Sequence, residues 1–341
     1  MSARGVAVVG SGSIAEQHLA ALRELPEVRL VGVSSRTEAR ARAAGERFGC
    51  RWTTDYRALL GDPEVDLVDV VTSSGSHARI ALEALGAGKH VLVEKPMAMN
   101  ASEARRMLEE ARARRRVLSV VSQRRFEEQH AAVRRALEAG LLGRLLLVEA
   151  SVPYYRTQAY YDSADWRGTI AEDGGALMNQ GIHSVDLMLW FAGPARSVIG
   201  RTATQTHRME AEDLALGIVS FESGAWGTVM ATTSAQPGFA PALRLYGEKG
   251  TIWLEGASIT HWTVPGAPEP PRSGGEASAG VRDPRLSHHR FHQAQIRDVL
   301  EAIERGRPPA VTAEDGFRAV ALVEALYASA ARGGEQRVEA P

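Results

Sequence analysis

The chain has 341 residues, of which 44% are hydrophobic and 24% are charged, and its formal net charge is -1. A chain of this length predicts two domains of ordinary globular composition, each large enough to bury a core. A net charge so close to zero gives no electrostatic reason to expect nucleic acid or an acidic membrane surface as a partner. We therefore expect the partner to be a small molecule.

Cysteine usage and the first residues indicate the compartment. Cys50 is the only cysteine, which excludes an intramolecular disulfide and a metal site made of several cysteines, and we assign no metal site. An apolar strand pattern begins after four residues without the regions of a signal peptide, and no apolar run is long enough to span a membrane. These patterns predict a cytoplasmic protein that does not bind membranes.

The first candidate binding element is a glycine-rich segment between a strand and a helix. Residues 6–9 predict a buried strand, and the pattern around Leu19 and Leu22 predicts the helix. The GxGxxA segment between them contributes these candidate cofactor contacts: Gly10, Ser11, Gly12, Ser13 and Ile14. The first glycine permits a tight turn, the second lets the backbone approach a pyrophosphate, and the N–H groups of the helix start attract phosphate. The segment predicts dinucleotide binding; the alternative is a simple glycine-rich turn.

The end of the second predicted strand bears on which dinucleotide is bound. The strand pattern at 28–33 is followed by Ser34, Ser35 and Arg36. An acidic residue here would hydrogen-bond the adenosine ribose hydroxyls and repel a 2′-phosphate, whereas Ser35 cannot repel that phosphate and Arg36 can pair with it. We therefore expect NADP to be preferred over NAD. The alternative is that Arg36 only stacks on adenine.

Helical and strand patterns alternate as far as Gln123, which predicts a doubly wound parallel sheet with right-handed crossovers. The predicted helices are 38–48, 56–60, 78–87 and 101–114, and the predicted further strands are 67–71, 91–93 and 117–122. Thr72 and Ser73 follow a strand end and are predicted to line the cofactor cleft. His77 either joins them there or simply starts the next helix.

The segment HVLVEKP, residues 90–96, changes from apolar to polar at the end of a strand. Its apolar run is typical of a strand that is covered on both faces. Ligands of an open parallel sheet bind beyond the carboxyl ends of the strands, so Glu94 and Lys95 are assigned to the cofactor cleft. Pro96 biases Lys95 away from helical backbone, and the bond between them can be cis in a tight turn. The alternative is an ordinary exposed loop lysine.

The sequence changes character after Gln123, and we place the domain boundary there. Residues 1–123 form the predicted dinucleotide-binding domain, and residues 124–341 a second domain for substrate binding and oligomerisation. After a predicted helix at 131–139 and a strand at 144–152 comes a segment rich in aromatic residues and arginine. Its candidate substrate contacts are Tyr155, Arg156, Trp166 and Arg167. Aromatic faces and forked donors suit a polyhydroxylated ligand, and equally suit a subunit interface.

A second segment with chemical potential follows the glycine pair Gly174 and Gly175. Apolar spacing predicts a helix over 179–191, which places Asn179 and His183 on adjacent turns of one face. A lone histidine on a helix is more often structural than catalytic. The preceding asparagine and glycine pair make His183 a candidate for catalysis.

Residues 196–262 predict a mostly antiparallel sheet. Runs of β-forming residues occur at 198–206, 214–221, 226–233, 242–247 and 251–254. One face of this sheet must pack on helices, and the other must be solvated or paired with another subunit, so we expect a homodimer or homotetramer. Residues 264–284 predict a long mobile loop, and helices over 291–305 and 317–331 complete the chain.

Three segments together resemble the glucose-fructose oxidoreductase, inositol dehydrogenase and rhizopine catabolism family over essentially the whole chain. They are GSGSIA at 10–15, GKHVLVEKP at 88–96, and the glycine pair with Asn179 and His183. The resemblance implies a Rossmann domain followed by an α+β domain with a large, mostly antiparallel, open-faced sheet. It also implies that Lys95 contacts the substrate hydroxyl and the nicotinamide ribose, and that His183 is the catalytic histidine.

The activity implied by the resemblance is a nicotinamide-dependent dehydrogenase or reductase of a sugar, cyclitol or related polyol. Asn179 departs from the aspartate that inositol-dehydrogenase-like members usually carry, and an amide orients a hydroxyl but cannot take its proton. A histidine, with an ordinary pKa of about 6.5, is then the acid/base candidate, and Lys95 is the polarising cation. Lys95, Asn179 and His183 are our catalytic candidates and also contact the substrate. The alternatives are a cofactor-binding regulator without turnover and a dihydrodiol-type dehydrogenase.

Overall fold

The computed structural model describes residues 3–270 and 289–341. The chain divides into two compact units. Unit 1 comprises the described parts of Met1–Ala98, Ser102–Gln123 and His288–Phe317, and unit 2 those of Met99–Ala101, Arg124–Ser287 and Arg318–Pro341. The second segment of unit 1 ends at Gln123, and the described residues 289–317 form its third segment.

Unit 1 is built on a six-stranded sheet in the order β3-β2-β1-β4-β5-β6. The strands are β1 Arg4–Val9, β2 Val28–Ser34, β3 Arg51–Thr53, β4 Leu67–Val70, β5 His90–Val93 and β6 Leu118–Val120. The helices between them are α1 Ser13–Arg23, α2 Glu38–Phe48, α3 Tyr56–Leu60, α4 His77–Gly86 and α5 Ala101–Arg114. All neighbouring strands pair in parallel, so the predicted Rossmann architecture is confirmed.

Apolar strand residues form the centre of unit 1. Val6, Leu67 and Leu92 are no more than 1% exposed, because helices cover both faces of a parallel sheet. Burying a side chain of this kind contributes about 1.5 to 3 kcal/mol relative to leaving it exposed. Asp69 of β4 is equally buried, at 1% exposure. A carboxylate in this apolar strand needs a partner, and its partner belongs to the site described below.

Unit 2 is built on an eight-stranded sheet in the order β13-β12-β11-β7-β10-β9-β8-β14. The strands are β7 Leu145–Pro153, β8 Ala195–Ala203, β9 Leu214–Phe221, β10 Trp226–Thr232, β11 Ala242–Gly247, β12 Thr251–Glu255, β13 Ser258–Thr263 and β14 Gln336–Arg337. The helices that precede β8 are α6 Glu128–Glu138, α7 Gln158–Tyr161 and α8 Ile182–Ala192. Strands β7 and β10 pair in parallel and the other neighbours are antiparallel. The predicted mostly antiparallel sheet is therefore confirmed.

The two faces of the unit 2 sheet differ. On one face, Gly200 and Gly217 lie so close to Leu326 that an added Cβ would come within 2.6 Å of it. On the other face, five large apolar side chains are between 36% and 53% exposed: Ile199, Leu216, Ile218, Trp226 and Trp253. Alternate residues of β9 and β10 thus point to a covered face and an apolar open face.

Two helices complete the described chain, α9 Arg290–Arg305 and α10 Ala313–Arg332. Helix α9 buries Ile296, Val299 and Leu300 in the same apolar cluster as Leu19 and Leu22 of α1. This packing is why the segment returns to unit 1. The part of the predicted mobile loop from residue 271 onward lies outside the described residues. No helix in the described ranges has both the length and the apolarity needed to cross a membrane.

Candidate active site

The predicted cofactor segments of unit 1 follow four neighbouring strands. Strands β2, β1, β4 and β5 are adjacent and parallel, so their carboxyl ends lie at one edge of the sheet. The residues that follow them are, in sheet order, Ser35 and Arg36, then Gly10 to Ile14, then Thr72 and Ser73, then Glu94 and Lys95. The fold therefore gathers residues that are up to 85 positions apart, from Gly10 to Lys95, at the edge where parallel sheets bind ligands.

The two glycines of the first loop have different reasons to be glycine. Gly10 has φ of +131°, and a Cβ there would lie 2.3 Å from the carbonyl oxygen of Val71. An added Cβ at Gly12 would meet no protein atom within 4 Å. Gly12 is also the N-cap of α1. The loop therefore has a fixed shape at Gly10 and open space at Gly12, in front of a helix start, which fits the diphosphate of a dinucleotide.

Two serine side chains contact each other beside this loop. The Ser11 hydroxyl donates a hydrogen bond to the Ser35 hydroxyl over 2.6 Å, which joins the ends of β1 and β2. Arg36 is exposed, as is Ser13, whereas Ile14 packs against the apolar core. Any contact of Ile14 with a cofactor would therefore be made by its backbone.

His77 has a different position from the one expected for a cofactor contact. Its ring is 1% exposed, with Nδ1 2.8 Å from the carbonyl oxygen of Pro96 and Nε2 3.1 Å from that of Thr72. Burial lowers the pKa of His77, with the Pro96 carbonyl opposing it. Both ring nitrogens face backbone carbonyls, so the ring joins the β4 and β5 loops and offers neither nitrogen to a ligand.

Glu94 connects the turn that carries Lys95 to a buried charge cluster. Its Oε2 accepts a hydrogen bond from the backbone N–H of Lys95 over 2.9 Å. Its Oε1 accepts one from Nε2 of His18 over 3.1 Å, and Nδ1 of His18 donates to Asp69 over 2.7 Å. His292 of α9 lies beside this cluster, 5.0 Å from His18 between ring centroids. The Lys95–Pro96 bond is cis.

The cluster contains charged groups of both signs in the interior. Burial alone would lower the pKa of His18, but Asp69 and Glu94 outweigh it and raise this pKa to about 10. Burial would raise the pKa of Glu94, but its hydrogen bond from His18 holds it well below the usual range. Burial and the adjacent His18 lower the pKa of His292 to about 3. His18 is therefore an imidazolium and His292 is neutral near pH 7.

The segment that carries His183 in unit 2 starts as a wide helical turn. A π-helix spans Ala176–Gly181, and α8 begins at Ile182. The predicted uninterrupted α-helix from residue 179 is therefore wrong at its start. Asn179 lies in the π turn and His183 in the first turn of α8, and both are half-buried within a segment that is otherwise mostly buried. Wide turns of this kind occur frequently at functional sites.

Two side chains from distant parts of the chain stabilise the π turn. Glu212 accepts a hydrogen bond from Leu177 N over 2.9 Å and another from the Tyr327 hydroxyl over 2.8 Å. The Tyr327 hydroxyl in turn accepts from Met178 N over 3.2 Å. These contacts satisfy backbone N–H groups that the start of a helix leaves free. They also explain Gly175, because a Cβ there would lie 1.6 Å from a carboxylate oxygen of Glu212.

Asp173 supplies a carboxylate beside Asn179. It is 2% exposed, and it accepts hydrogen bonds from the Asn179 side-chain amide and, over 2.7 Å, from Gly168 N. Because the amide nitrogen of Asn179 donates to Asp173, its carbonyl oxygen points away and is oriented as an acceptor. Sequence reasoning finds Asn179 but misses Asp173, whose only signal is an acidic residue next to the glycine pair.

Three of the four candidate substrate contacts gather around Tyr160. The guanidinium of Arg167 lies 4.3 Å from the centre of the Tyr160 ring and 4.6 Å from that of Trp166. Arg156 lies 5.5 Å from the Tyr160 ring and donates to Gln180 over 3.0 Å. Gln180 is the chain neighbour of Asn179, so this arginine–aromatic cluster adjoins the π turn. The fourth candidate, Tyr155, instead forms a β-bridge with Ser234.

The buried titratable side chains His18, Asp69 and His292 were also missed from the sequence. Two signals could have indicated them: a carboxylate within the apolar strand LVDV at 67–70, and a histidine on the buried face of α1. The pairing itself could not be found, because His18 and His292 are 274 positions apart in the chain. Only the position of α9 in unit 1 brings them together.

Comparisons with known proteins identify the family of the chain. Residues 4–122 match the model of the GFO_IDH_MocA oxidoreductase family, described as an NAD-binding Rossmann fold, and residues 130–253 match the GFO/IDH/MocA C-terminal domain. An inositol 2-dehydrogenase of Rubrobacter xylanophilus is 29% identical, over 98% of this chain and 93% of its own length.

Solved structures give the same relationship. The WlbA dehydrogenase from Bordetella pertussis, in complex with NADH and UDP-GlcNAcA, is 30% identical with a TM-score of 0.88, over 99% of this chain and 100% of its own. WlbA from Chromobacterium violaceum, with the same ligands, is 31% identical with a TM-score of 0.89, over 99% and 97%. The chain therefore belongs to the glucose-fructose oxidoreductase, inositol dehydrogenase and rhizopine catabolism family of NAD-binding oxidoreductases.

Proposed function

We propose that the protein transfers a hydride between a nicotinamide dinucleotide and a hydroxyl-bearing carbon of a sugar, cyclitol or related polyol. The observation that carries the proposal is the edge of the unit 1 sheet. There the glycine loop, which has open space at Gly12, follows β1, and the Lys95 turn follows β5. Only β4 separates these two strands in the sheet. The names of relatives that act on inositol or bind an aminosugar uronate support the substrate class.

The bound nicotinamide would supply the hydride acceptor or donor. The residues of the chain would manage the substrate oxygen. The Lys95 ammonium stabilises negative charge on that oxygen as its proton leaves. His183 takes the proton in the oxidation direction and returns it in reduction. Asn179 accepts a hydrogen bond through its oriented carbonyl oxygen, which fixes a neighbouring hydroxyl but takes no proton.

A substrate screen tests this function. Purified protein is incubated with sugars, cyclitols and polyols plus NAD or NADP, and with their carbonyl forms plus NADH or NADPH, while nicotinamide absorbance is followed. We expect turnover with at least one polyol, and loss of this turnover in Lys95→Ala and His183→Ala. Binding of dinucleotide without turnover of any compound would favour the regulatory alternative. Turnover restricted to dihydrodiols would favour the alternative of a dihydrodiol-type dehydrogenase.

The choice of dinucleotide follows from the exposed Arg36 and the Ser11–Ser35 contact. Neither side chain at this position carries a negative charge, so a 2′-phosphate is not repelled and Arg36 pairs with it. We expect tighter binding of NADPH than NADH by fluorescence titration, and a selective loss of NADPH affinity in Arg36→Ala. Equal affinities in the wild type would contradict this preference. The exposed Arg40 of α2, changed to alanine, is the matched control.

We also infer a homodimer or homotetramer built on the open face of the unit 2 sheet. Ile199 and Ile218 are direct cross-strand partners and are 43% and 51% exposed, with Leu216 two residues away on β9. A contiguous apolar face of this kind marks an interaction surface. Light scattering at micromolar concentration should report an oligomer, and Ile218→Asp should shift it to monomer. A monomeric wild type would contradict the inference.

A further inference from the structure

We propose that His18 is a positioning residue for Lys95, which it holds in place through Glu94. The proposal rests on the proposed function, in which Lys95 stabilises charge on the substrate oxygen. His18 does not itself contact a reacting atom in this scheme. It sets the backbone from which the lysine side chain extends.

The first step of the argument is that both neighbours of Lys95 are held. On its N-terminal side, Glu94 uses one carboxylate oxygen for His18 and the other for the backbone N–H of Lys95 itself. On its C-terminal side, the carbonyl oxygen of Pro96 faces Nδ1 of His77 over 2.8 Å. The Lys95 side chain, which extends from this held backbone, is half-buried.

The second step concerns the positive charge on His18, which strengthens its hydrogen bond to Glu94. An imidazole donates from both nitrogens only when it is protonated, and both nitrogens of His18 face carboxylates. The groups around it are Asp69 from β4, Glu94 from the turn after β5, and His292 from α9; all four side chains are at most 7% exposed. A charged hydrogen bond in this dry environment fixes Glu94 more firmly than a neutral one would.

The third step connects this support to the dinucleotide. His18 lies on α1, whose N-cap is Gly12 of the glycine loop. The helix that presents its N–H groups to the diphosphate therefore also carries the imidazolium that holds Glu94. A single rigid element thus fixes both the phosphate site and the lysine turn in unit 1.

A bound metal ion is the competing explanation of the same cluster. His18, Glu94 and His292 each place one ligand atom within 4.8 Å of the others, and two histidines with a carboxylate are a common ligand set. A metal would require Nε2 of His18 to be unprotonated. The 3.1 Å distance from Nε2 to Glu94 is already that of a hydrogen bond, and Asp69 occupies Nδ1. Protonated His18 gives each of these two carboxylates one hydrogen bond without an ion, so we favour it over a metal.

The test compares two carboxylate-to-amide changes on opposite sides of the same imidazole ring. Glu94→Gln leaves a single acceptor oxygen to serve both His18 and the Lys95 N–H, whereas Asp69→Asn leaves both oxygens of Glu94 in place. We expect Glu94→Gln to lower kcat about 10- to 100-fold through misplacement of Lys95, with the KM for dinucleotide changed less than about threefold. Asp69→Asn should retain kcat within about threefold. Equal losses of kcat in both variants would show a merely structural role and overturn the proposal.

Exchange of the Lys95 amide hydrogen gives a readout that does not need activity. Pro96 has no amide, so the signal of this turn comes from Lys95 and its N-terminal neighbours. Glu94→Gln should speed exchange at Lys95 about tenfold, and Asp69→Asn should leave it nearly unchanged. If exchange follows this pattern but no polyol is turned over, the proposed function fails while the His18–Glu94–Lys95 connection stands. Exchange that is unchanged both in Glu94→Gln and in Glu94→Ala, which has no acceptor at this position, refutes the connection itself.

The double variant His18→Gln/Asp69→Asn protects the test against loss of folding. It removes one buried cation together with one buried anion, so it leaves the net charge of the cluster unchanged. It should reproduce the kcat loss of Glu94→Gln. Wild-type kcat in this double variant would overturn the role of His18. Metal analysis of purified wild-type protein decides between the imidazolium and a bound metal ion. Less than about 0.1 equivalent of metal per protein chain supports the imidazolium. One equivalent of metal per chain that is lost in His292→Ala would overturn the proposal in favour of a metal site.

Discussion

Lys95 and His183 are supported by contacts of different kinds. The backbone of Lys95 is held by a cluster of buried ionised groups in unit 1, which depends on a proton at His18. The segment of His183 in unit 2 starts with a π turn whose N–H groups are satisfied by Glu212 and Tyr327. The first support should respond to pH and to loss of charge, and the second to changes in shape. Each prediction below tests one side of this difference.

The largest effect is expected from His183→Ala. Loss of the acid/base group should lower kcat about 100- to 10000-fold, and dinucleotide affinity should change little because no phosphate or adenine contact is removed. Single-turnover hydride transfer and fluorescence titration measure the two quantities. His261→Ala, at a histidine of β13, is the control. A turnover rate near that of wild type would remove His183 from the mechanism.

Lys95→Ala should have the next largest effect. It removes one positioned cation from the developing negative charge, which typically costs about 100- to 1000-fold in turnover. The exposed Lys249 of unit 2 provides a matched alanine control. We expect Lys95→Ala to leave the thermal midpoint of unfolding unchanged, because Glu94 and His18, not the lysine side chain, hold the backbone of this turn. Activity retained in this variant would exclude the polarising role.

A pair of glycine substitutions separates shape from ligand contact. Gly175→Ala puts a methyl group 1.6 Å from the Glu212 carboxylate, so we expect a loss of about 1 to 3 kcal/mol in unfolding free energy. Gly12→Ala meets no protein atom, so stability should be retained while dinucleotide affinity falls at least about tenfold. Calorimetry and titration of both variants are the measurements. A stable Gly175→Ala would show that the π turn can move away from Glu212.

The pH dependence of stability should differ between the units. The folded-state pKa of His18 is raised to about 10, so its contribution is complete below about pH 6.5 and is lost as the pH rises toward 10. The slope is at most about 1.4 kcal/mol per pH unit. In unit 2, burial would raise the pKa of Asp213, but the N–H groups of Thr206 and Gln205 lower it to about 2. Its contribution is present above about pH 4 and is lost as the pH falls toward 2.

Hydrogen exchange across this pH series assigns the changes. Peptides of α1 should lose protection between pH 7 and 10, and peptides that cover 205–213 should lose it below pH 4. The double variant His18→Gln/Asp69→Asn should flatten only the alkaline change. Alkaline loss of protection that persists in the double variant would mean that His18 is not its source.

Local patterns predict much of the fold because apolar periodicity and glycine positions are local properties. Strands β9 and β11 and helices α2, α3 and α5 begin and end at the predicted residues. Strands β3 and β13 were missed because each is short or carries polar residues at alternate positions. Helix α9 was found, but its place in unit 1 was not, since packing against Leu19 is a tertiary contact.

The site shows the same limit. Lys95, Asn179 and His183 are recognisable because each lies in a distinctive local motif. The contacts that support these motifs are distant in the chain. Glu212 and Tyr327 bond to the π turn across 35 and 149 positions, and His18 bonds to Glu94 across 76 positions. No spacing in the sequence reveals such contacts. The π turn was predicted as an α-helix because the side chains that shape it are distant in the chain.

The hydrogen bond between Asp173 and the Asn179 amide determines what a carboxyl group at position 179 would meet. Asparagine at 179 is compatible with Asp173 because an amide donates to a carboxylate. Aspartate at 179 would bring two carboxylates into contact at a buried position, where they could not both ionise. A single Asn179→Asp substitution would therefore place one shared proton between residues 173 and 179 rather than a second negative charge.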